Sequence, residues 1–167
     1  LNCRFKLIVA LNSMKRIMAP VISNQEVRPN TWMLHLDAPA IAAEARPGQF
    51  VNVLCDGDTA HLLRRPLSIY RTTRDGEIVL FFQVFGSGTA WLSGRQKGEV
   101  VDIIGPLGKG FDVLPESRDL LFLAGGMGIA VLTALADEAL EQGKEVTLLA
   151  GFRTARKVMP AEFLPQG

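Results

Sequence analysis

The sequence predicts a six-stranded antiparallel β-barrel followed by the beginning of an α/β domain. Three features predict this fold class: short runs of β-branched and aromatic residues, turn residues between those runs, and a change of pattern after Phe111. Short strands at such spacing are typical of small closed barrels. We expect an N-terminal extension over residues 1–17, the barrel over 18–115 and a partial α/β domain over 116–167.

The predicted strands of the barrel are separated by turn-forming residues. They cover Val21–Val27, Thr31–Asp37, Gln49–Cys55, Pro66–Thr72, Glu77–Phe85 and Val100–Ile104. Between the fourth and fifth strands, Asp75-Gly76 predicts a tight hairpin turn of type I′, which needs a positive φ that glycine adopts without strain. This regular alternation of strands and turns favours a closed antiparallel arrangement.

A strand–helix–strand unit is predicted after the barrel. Asp119–Ala124 and Glu145–Ala150 are apolar runs, and Gly128–Glu141 carries apolar residues at helical spacing. Parallel strands are normally covered on both faces, whereas this segment supplies a single helix. The sequence therefore predicts an exposed apolar sheet face, and with it either self-association of the chain or a poorly ordered segment after Phe152.

The charge balance argues against binding to nucleic acid or to a membrane surface. The chain has 18 basic and 17 acidic residues, and 48% of its residues are hydrophobic. A net charge of +1 creates no long-range field that attracts a polyanion, so phosphate binding has to be local. The apolar run Leu7–Leu11 is shorter than a signal-peptide core or a membrane span, which favours a cytoplasmic protein.

The cysteines predict neither a metal site nor a disulfide framework. Cys3 and Cys55 lie far apart and match no metal-ligand or redox spacing. We therefore expect no metal ligands in this chain, and we interpret Cys55, at the end of an apolar run, as a small core residue.

Local phosphate binding is predicted at two segments. Arg64–Arg71 places three guanidinium groups and a serine on or beside one strand, where arginine forks can hold a diphosphate. Three arginines on a strand are also typical of a solvated face. Gly86–Thr89 precedes a short predicted helix, Ala90–Arg95, whose free N–H groups can face an anion, although a plain turn has the same pattern. Because one hairpin separates the two segments, we expect them to be neighbours in the barrel.

Four motifs follow one another along the chain. They are Arg65-Pro66-Leu67-Ser68, Gly86-Ser87-Gly88-Thr89, Gly105-Pro106-Leu107-Gly108-Lys109-Gly110-Phe111 and Gly125-Gly126-Met127-Gly128-Ile129-Ala130. In this order they resemble the ferredoxin-reductase superfamily and, within it, the electron-transfer subunits of dihydroorotate dehydrogenase. The resemblance covers residues 20–163 and implies a Greek-key FAD-binding barrel followed by a Rossmann-like nicotinamide-binding domain.

The resemblance also implies which residues bind FAD. Arg65 would bind the pyrophosphate, and Ser68 would lie against the flavin near its reactive nitrogen. Leu67 stands where many members of the superfamily have a tyrosine that stacks on the flavin, which implies an aliphatic contact instead. The implied FAD-binding residues are Arg65, Pro66, Leu67 and Ser68 from the first motif and Gly86, Gly88 and Thr89 from the second.

The last motif implies a nicotinamide loop made of Gly125, Gly126 and Gly128. It lacks the third glycine of the dinucleotide fingerprint, and no acidic residue closes the second strand, so a classical NAD site is not predicted. In the superfamily such a loop lets the nicotinamide reach the flavin, and residues after the next strand contact the adenine ribose. Here Arg153 or Arg156 could meet a 2′-phosphate, or both could be solvated, so NAD and NADP are both open.

The implied function is electron transfer by an FAD-containing subunit, with no catalytic side chain. Electrons would pass between a partner catalytic subunit, which oxidises dihydroorotate, and NAD, through an iron–sulfur centre, in pyrimidine biosynthesis. The same motifs fit subunits of a ferredoxin:NADP oxidoreductase, a sulfide dehydrogenase or a hydrogenase-associated diaphorase. From a different class, a non-catalytic barrel that docks partners is an alternative. The family carries its [2Fe-2S] cysteines beyond the nicotinamide domain, and we expect this chain to be truncated before that region. Because the unit Asp119–Ala150 is too small to form the nicotinamide pocket, we also expect no oxidation of NADH by this chain.

Overall fold

The computed structural model describes residues 14–55 and 63–165. Within these residues, six strands close into an antiparallel barrel in the order β1-β2-β5-β4-β3-β6, which is a Greek-key arrangement because β2 pairs with β5 and β3 with β6. The predicted barrel is confirmed. Its strands are β1 Lys15–Arg28, β2 Thr31–Asp37, β3 Phe50–Val53, β4 Arg65–Thr72, β5 Glu77–Gln83 and β6 Val100–Leu107.

The first strand begins earlier than the sequence pattern indicates. The first part of β1 pairs with β6, where Lys15 faces Gly105, and its later part pairs with β2. Ile17 packs against the barrel core and Ala19 is fully buried, so this part of the chain belongs to the barrel. The expected boundary at residue 18 therefore falls inside β1, and residues 1–13 of the expected extension lie outside the described residues.

The hairpin between β4 and β5 differs from the predicted type. Gly76 has a φ of 88°, but Asp75 does not share the positive φ that a type I′ turn requires. Instead, the N–H of Gly76 donates to the carbonyl of Thr73 at 3.1 Å, as in a type I turn closed by glycine. A Cβ at Gly76 would lie 2.7 Å from Cβ of Pro39, so a close approach adds to the conformational need for glycine.

The core of the barrel is filled from alternate strand positions. On β5, Ile78, Leu80 and Phe82 point into the barrel, whereas Val79 and Phe81 pack in a second cluster on its outside. The short helix α1, Pro39–Ala42, adds the fully buried Ile41 to the inner cluster. The sequence pattern did not reveal α1, because four residues are too few for helical periodicity.

The α/β unit packs against the outside of the barrel. Strands β7, Asp119–Gly125, and β8, Glu145–Gly151, are parallel and are joined by a 3₁₀ turn and helix α3, Ile129–Glu141. The predicted strand–helix–strand unit is confirmed. Ile129 and Ala130 of α3 pack in the second cluster against the outer face of β4 and β5.

One face of the β7–β8 sheet is open, as the sequence predicts. Its side chains Leu121, Leu123 and Leu149 are 62%, 69% and 55% exposed. The segment after Phe152 covers part of the barrel instead: Met159 is buried in the second cluster, and Phe163 packs beside it. Among the helices of the described residues, none is long and apolar enough to cross a bilayer.

Candidate functional site

The structure gives the arginines of the Arg64–Arg71 segment different partners. Arg64 Nη2 donates to Oδ2 of Asp102 at 2.8 Å, and its Nη1 donates to the carbonyl of Asp102 at 3.1 Å. Arg64 thus ties the entry to β4 to strand β6. Its guanidinium group is occupied by the barrel itself.

Asp102 is a buried carboxylate held between two arginines. It is 7% exposed, and Arg16 of β1 donates to the same Oδ2 at 2.7 Å. Desolvation raises the pKa of Asp102, but hydrogen bonds from Arg16 and Arg64 and their charges outweigh it, so the pKa lies below its ordinary value. This carboxylate joins β1, β6 and the start of β4.

Arg71, at the other end of β4, faces the α/β unit. Its Nε donates to Oδ2 of Asp137 at 2.6 Å and its Nη2 to Oδ1 at 3.2 Å, which makes a two-point ion pair with helix α3. Beside it, burial is the main cause that raises the pKa of Tyr70 to about 12, so the phenol keeps the proton that it donates to the carbonyl of Phe163. Arg71 therefore links the barrel to α3.

Arg65 is the remaining guanidinium of the segment. It is the first residue of β4 and half-buried, and its Nη1 donates to the carbonyl of Leu63 at 2.9 Å. Among residues 14–55 and 63–165 no carboxylate pairs with it. Within the described residues, Arg65 therefore has most of its donors available for an anionic ligand.

The structure brings Arg65 and Gly88 into contact, as the sequence predicts for the two segments. A Cβ built on Gly88 would lie 3.2 Å from Nε of Arg65 and 3.3 Å from Cβ of Cys55. Gly88 is buried, so a side chain at this position would require the guanidinium group to shift by a few tenths of an ångström. Burial raises the pKa of the Cys55 thiol, which the charge of Arg65 partly offsets, and this agrees with the predicted core role of Cys55.

Helix α2 begins three residues before the predicted start. It covers Ser87–Ser93 and follows Gly86, whose backbone is extended. The hydroxyl of Thr89 accepts hydrogen bonds from the N–H groups of Phe85 at 3.0 Å and Gly86 at 3.2 Å. These bonds close the loop into a helical turn. Gly88 and Thr89 therefore lie in the first turn of α2, and the Thr89 side chain shapes the loop.

The other residues of the first motif lie along β4. Pro66 is exposed, while Leu67 and Ser68 are half-buried. Leu67 packs partly against the inner cluster of the barrel, and Ser68 pairs with Phe50 of β3. The flavin contacts expected of these residues stay predictions.

The glycine loop before α3 is open to its surroundings. Among the described residues, and apart from the adjoining backbone, no atom lies within 4 Å of a Cβ built on Gly125, Gly126 or Gly128, and Gly126 has a φ of 55°. The loop meets the barrel at a different point from Arg65, where Nη2 of Arg28 lies 3.4 Å from Sδ of Met127. At the carboxyl end of β8 there is a cleft of about 610 Å³, lined by Phe152, Arg153 and Thr154 among others.

The motif Gly105–Phe111 closes the barrel. The amide of Gln49 donates to the carbonyl of Gly108 at 2.7 Å, and the N–H of Phe111 donates to the carbonyl of Pro47 at 2.8 Å. A Cβ at Gly48 would lie 2.6 Å from the ring of Phe111, so the ring packs on bare backbone. These residues hold the end of β6 against β3.

Sequence reasoning did not identify Asp102, Asp137 or Arg28 as contributors. Asp102 was detectable, because an acidic residue inside the apolar run Val100–Ile104 needs a buried partner. In the part of the chain that the structure describes, no group of three His, Cys, Asp or Glu side chains could hold a metal ion.

Comparison with known proteins supports the resemblance that the four motifs predict. No family model matches the chain. The dihydroorotate dehydrogenase B (NAD(+)) electron transfer subunit of Desulforamulus reducens is 42% identical over 143 residues, which cover 84% of this chain and 54% of that protein. Its counterpart from a Geobacillus species is 35% identical over 148 residues, 87% of this chain and 58% of that protein. The curated homologues are dihydroorotate dehydrogenase B electron-transfer subunits. This chain spans somewhat more than half their length.

Solved structures support the same resemblance. An NADH-dependent reduced ferredoxin-NADP oxidoreductase matches with a TM-score of 0.77 and 28% identity over 88% of this chain and 53% of its own. The FAD/NAD-binding domain of nitric oxide dioxygenase from Vibrio cholerae has a TM-score of 0.73 at 18% identity, over 87% of this chain and 66% of its own, which shows the fold alone. The resemblance predicted from the four motifs is confirmed.

We expect Asp102→Asn to destabilise the barrel by about 2–3 kcal/mol at pH 7, because it leaves Arg64 without its anionic partner in a largely buried place. The pKa of Asp102 is lower in the folded than in the unfolded protein, so the ionised carboxylate stabilises the fold at pH values above its unfolded-state pKa. This stabilisation is lost as the pH falls through the folded-state pKa. In urea unfolding, the difference in the free energy of unfolding between parent and variant should therefore decrease below about pH 4. Asp112→Asn, at an exposed ion pair, should change stability by less than about 0.5 kcal/mol. If the free energies of unfolding of the parent and Asp102→Asn differed by the same amount down to about pH 2.5, this role of Asp102 would be contradicted.

Proposed function

We propose that this protein is an FAD-dependent electron-transfer subunit that passes electrons between a partner dehydrogenase and NAD. The observation that carries the proposal is the contact of Arg65 with Gly88, at the two motifs that the resemblance assigns to the FAD pyrophosphate. The homologues named as electron-transfer subunits of dihydroorotate dehydrogenase B support it. The partner would then oxidise dihydroorotate in pyrimidine biosynthesis.

The residues present fit a diphosphate. Arg65 offers guanidinium donors with no carboxylate partner among the described residues, and charge-assisted bonds of this kind are the strong ones. Gly88 leaves room beside Nε of Arg65 that a Cβ would fill. Two phosphate-holding segments that meet in this way favour a dinucleotide, FAD, over the single phosphate of FMN.

When bound, FAD supplies a group that accepts two electrons as a hydride and releases them again. With FAD bound, Arg65 would hold the diphosphate, and Leu67 and Ser68 would contact the flavin. Gly126 and Gly128 leave the backbone bare, so that a nicotinamide can approach. The carboxyl ends of parallel strands are the usual place for such a ligand, and the cleft beside Arg153 lies at the end of β8.

The source of the electrons lies outside the site described above. We propose that they arrive from the partner subunit through a [2Fe-2S] centre, whose ligands are not among the described residues. A subunit of a ferredoxin:NADP oxidoreductase is a second candidate, favoured by the 28% identity and TM-score of 0.77 with such an enzyme. In either case the role of the barrel is the same.

We predict that Arg65→Ala weakens FAD binding by roughly 1.5–3 kcal/mol, a tenfold or greater loss of affinity, because a charge-assisted contact with the diphosphate disappears. Titration of the apoprotein with FAD, followed by flavin fluorescence, measures the change. Arg74→Ala removes the same charge from an exposed turn and should bind FAD like the parent. Equal affinities of parent and Arg65→Ala would refute the assignment of Arg65.

We predict that Gly88→Ala also weakens FAD binding, because the added methyl group would lie 3.2 Å from Nε of Arg65 and push the guanidinium group aside. Gly94→Ala, at the end of the same helix, meets its nearest atom at 3.4 Å and serves as the matched control. Thermal unfolding separates lost binding from lost folding. The idea fails if Gly88→Ala keeps its melting temperature and the parent's FAD affinity.

We further propose that this chain self-associates through the open face of the β7–β8 sheet, supported by the exposed side chains Leu121, Leu123 and Leu149. A contiguous apolar sheet face is a feature that soluble monomers avoid, and a second copy offers a matching surface. The catalytic partner subunit is a separate proposal, since it rests on the homologues' names and not on this face.

Leu123→Glu is expected to shift the chain towards the monomer, because the charge would be desolvated in the contact. Light scattering over a range of concentrations measures the mass. Leu114→Glu, at a side chain that is 63% exposed outside this sheet, should keep the mass of the parent. A parent that stays monomeric at high concentration would contradict self-association.

A further inference from the structure

Strand β4 serves both the candidate flavin site and the α/β unit. Its first half carries Arg65–Ser68, and three residues later Arg71 binds helix α3. We infer that Arg71 and Asp137 are positioning residues whose ion pair sets the orientation of the glycine-loop helix relative to the flavin strand. The consequence for electron transfer rests on the proposed function, whereas the orientation itself does not.

The geometry of the pair is directional. Two bonds join the groups, Nε to Oδ2 at 2.6 Å and Nη2 to Oδ1 at 3.2 Å, and a fork of this kind fixes an angle as well as a distance. Nη2 of Arg71 also donates to the carbonyl of Leu164 at 3.2 Å, and Nη1 lies 3.2 Å from the hydroxyl of Tyr70. One side chain thus binds α3 and the segment after β8 at the same time.

Helix α3 transmits this orientation to the glycine loop. Asp137 lies nine residues after Gly128, which corresponds to about 13 Å along a helix. A helix is stiff over that distance, so a rotation of α3 at Asp137 moves the loop. The barrel also contacts the glycine loop directly, since Arg28 approaches Sδ of Met127. The same arginine donates to the carbonyl of Lys157 in the segment after β8.

Among the described residues, Thr133 of α3 adds a polar contact with the Tyr70 hydroxyl, and the other contacts between the barrel and α3 are apolar. Tyr70 and Phe81 pack with Ile129 and Ala130 in the second cluster, and their burial holds the two parts together. Apolar packing has little directional preference, so it tolerates small sliding movements of one helix over a sheet. The ion pair joins the two parts at two points, and it is therefore the main directional contact that sets the register of α3 on β4.

The ion pair contributes little to global stability. The side chains of Arg71 and Asp137 are 27% and 31% exposed, and pairs at such exposure add only modestly to the free energy of unfolding. Its substitution should therefore loosen the orientation of α3 without unfolding the protein. This separates a positioning role from a purely structural one.

Pulsed electron paramagnetic resonance on the FAD-loaded chain tests the inference. Nitroxide labels at Lys97→Cys, in a turn of the barrel, and Glu141→Cys, at the end of α3, report the orientation, with Cys3 replaced by Ser. We expect one narrow distance in the parent and a loss of that narrow distance in Asp137→Asn and in Arg71→Lys. The exchanged pair Arg71→Asp/Asp137→Arg should restore it, and Glu138→Gln, at the neighbouring position, should leave it unchanged.

The measured distances and melting temperatures distinguish a positioning role of the ion pair from a structural one. Narrow distances in all variants would overturn the inference, and so would a charge exchange that stays as broad as the single substitutions. Melting temperatures close to that of the parent are expected throughout, and a large fall would show a structural role instead. FAD titration of the same variants should give unchanged affinity. If the parent bound no FAD, the proposed function would fail, while the distances measured on the apoprotein would still decide the role of the pair.

Discussion

The buried carboxylate of Asp102 is the constraint on which the barrel and its candidate site depend. A carboxylate that is 7% exposed requires cationic partners, and the fold supplies Arg16 from β1 and Arg64 from the entry to β4. Arg64 is committed to this task, whereas its sequence neighbour Arg65 has no carboxylate partner among the described residues. The interaction that closes the barrel thus also decides which arginine is available to a ligand.

The three arginines on or beside strand β4 have three different tasks, which residue type and spacing could not separate, since only the family resemblance singled out Arg65. Arg64 holds β6, Arg65 lies beside Gly88, and Arg71 binds Asp137 on α3. In the sequence the three guanidinium groups are equivalent, since their type and spacing fit a diphosphate or a solvated face equally well. What distinguishes them is an acidic partner that lies 38 or 66 residues away along the chain. Such partners are set by tertiary packing, which periodicity does not report.

The sequence predicted the elements of the fold well where the local pattern is strong. Strand β2 was predicted at its observed bounds, Thr31–Asp37, and α3 within one residue, because alternating or helical apolar spacing marks both. The start of β1 was missed because its exposed face carries Met18 and Pro20 beside Arg16, so the segment shows no alternation of apolar and polar residues. The start of α2 was missed because its first turn contains Gly88, and capping by the Thr89 hydroxyl stabilises that turn.

The glycines of the four motifs differ in a way that only the structure reveals. A Cβ at Gly105 would lie 2.6 Å from Val51, and one at Gly110 would lie 3.1 Å from the carbonyl of Pro47, so packing within the barrel requires these glycines. At Gly125 and Gly128 a Cβ would meet no protein atom within 4 Å, and neither has a positive φ. Neither packing nor backbone conformation within the described residues therefore requires glycine at these two positions. A ligand that approaches the bare backbone would explain both, and this is the physical reason to place the nicotinamide there.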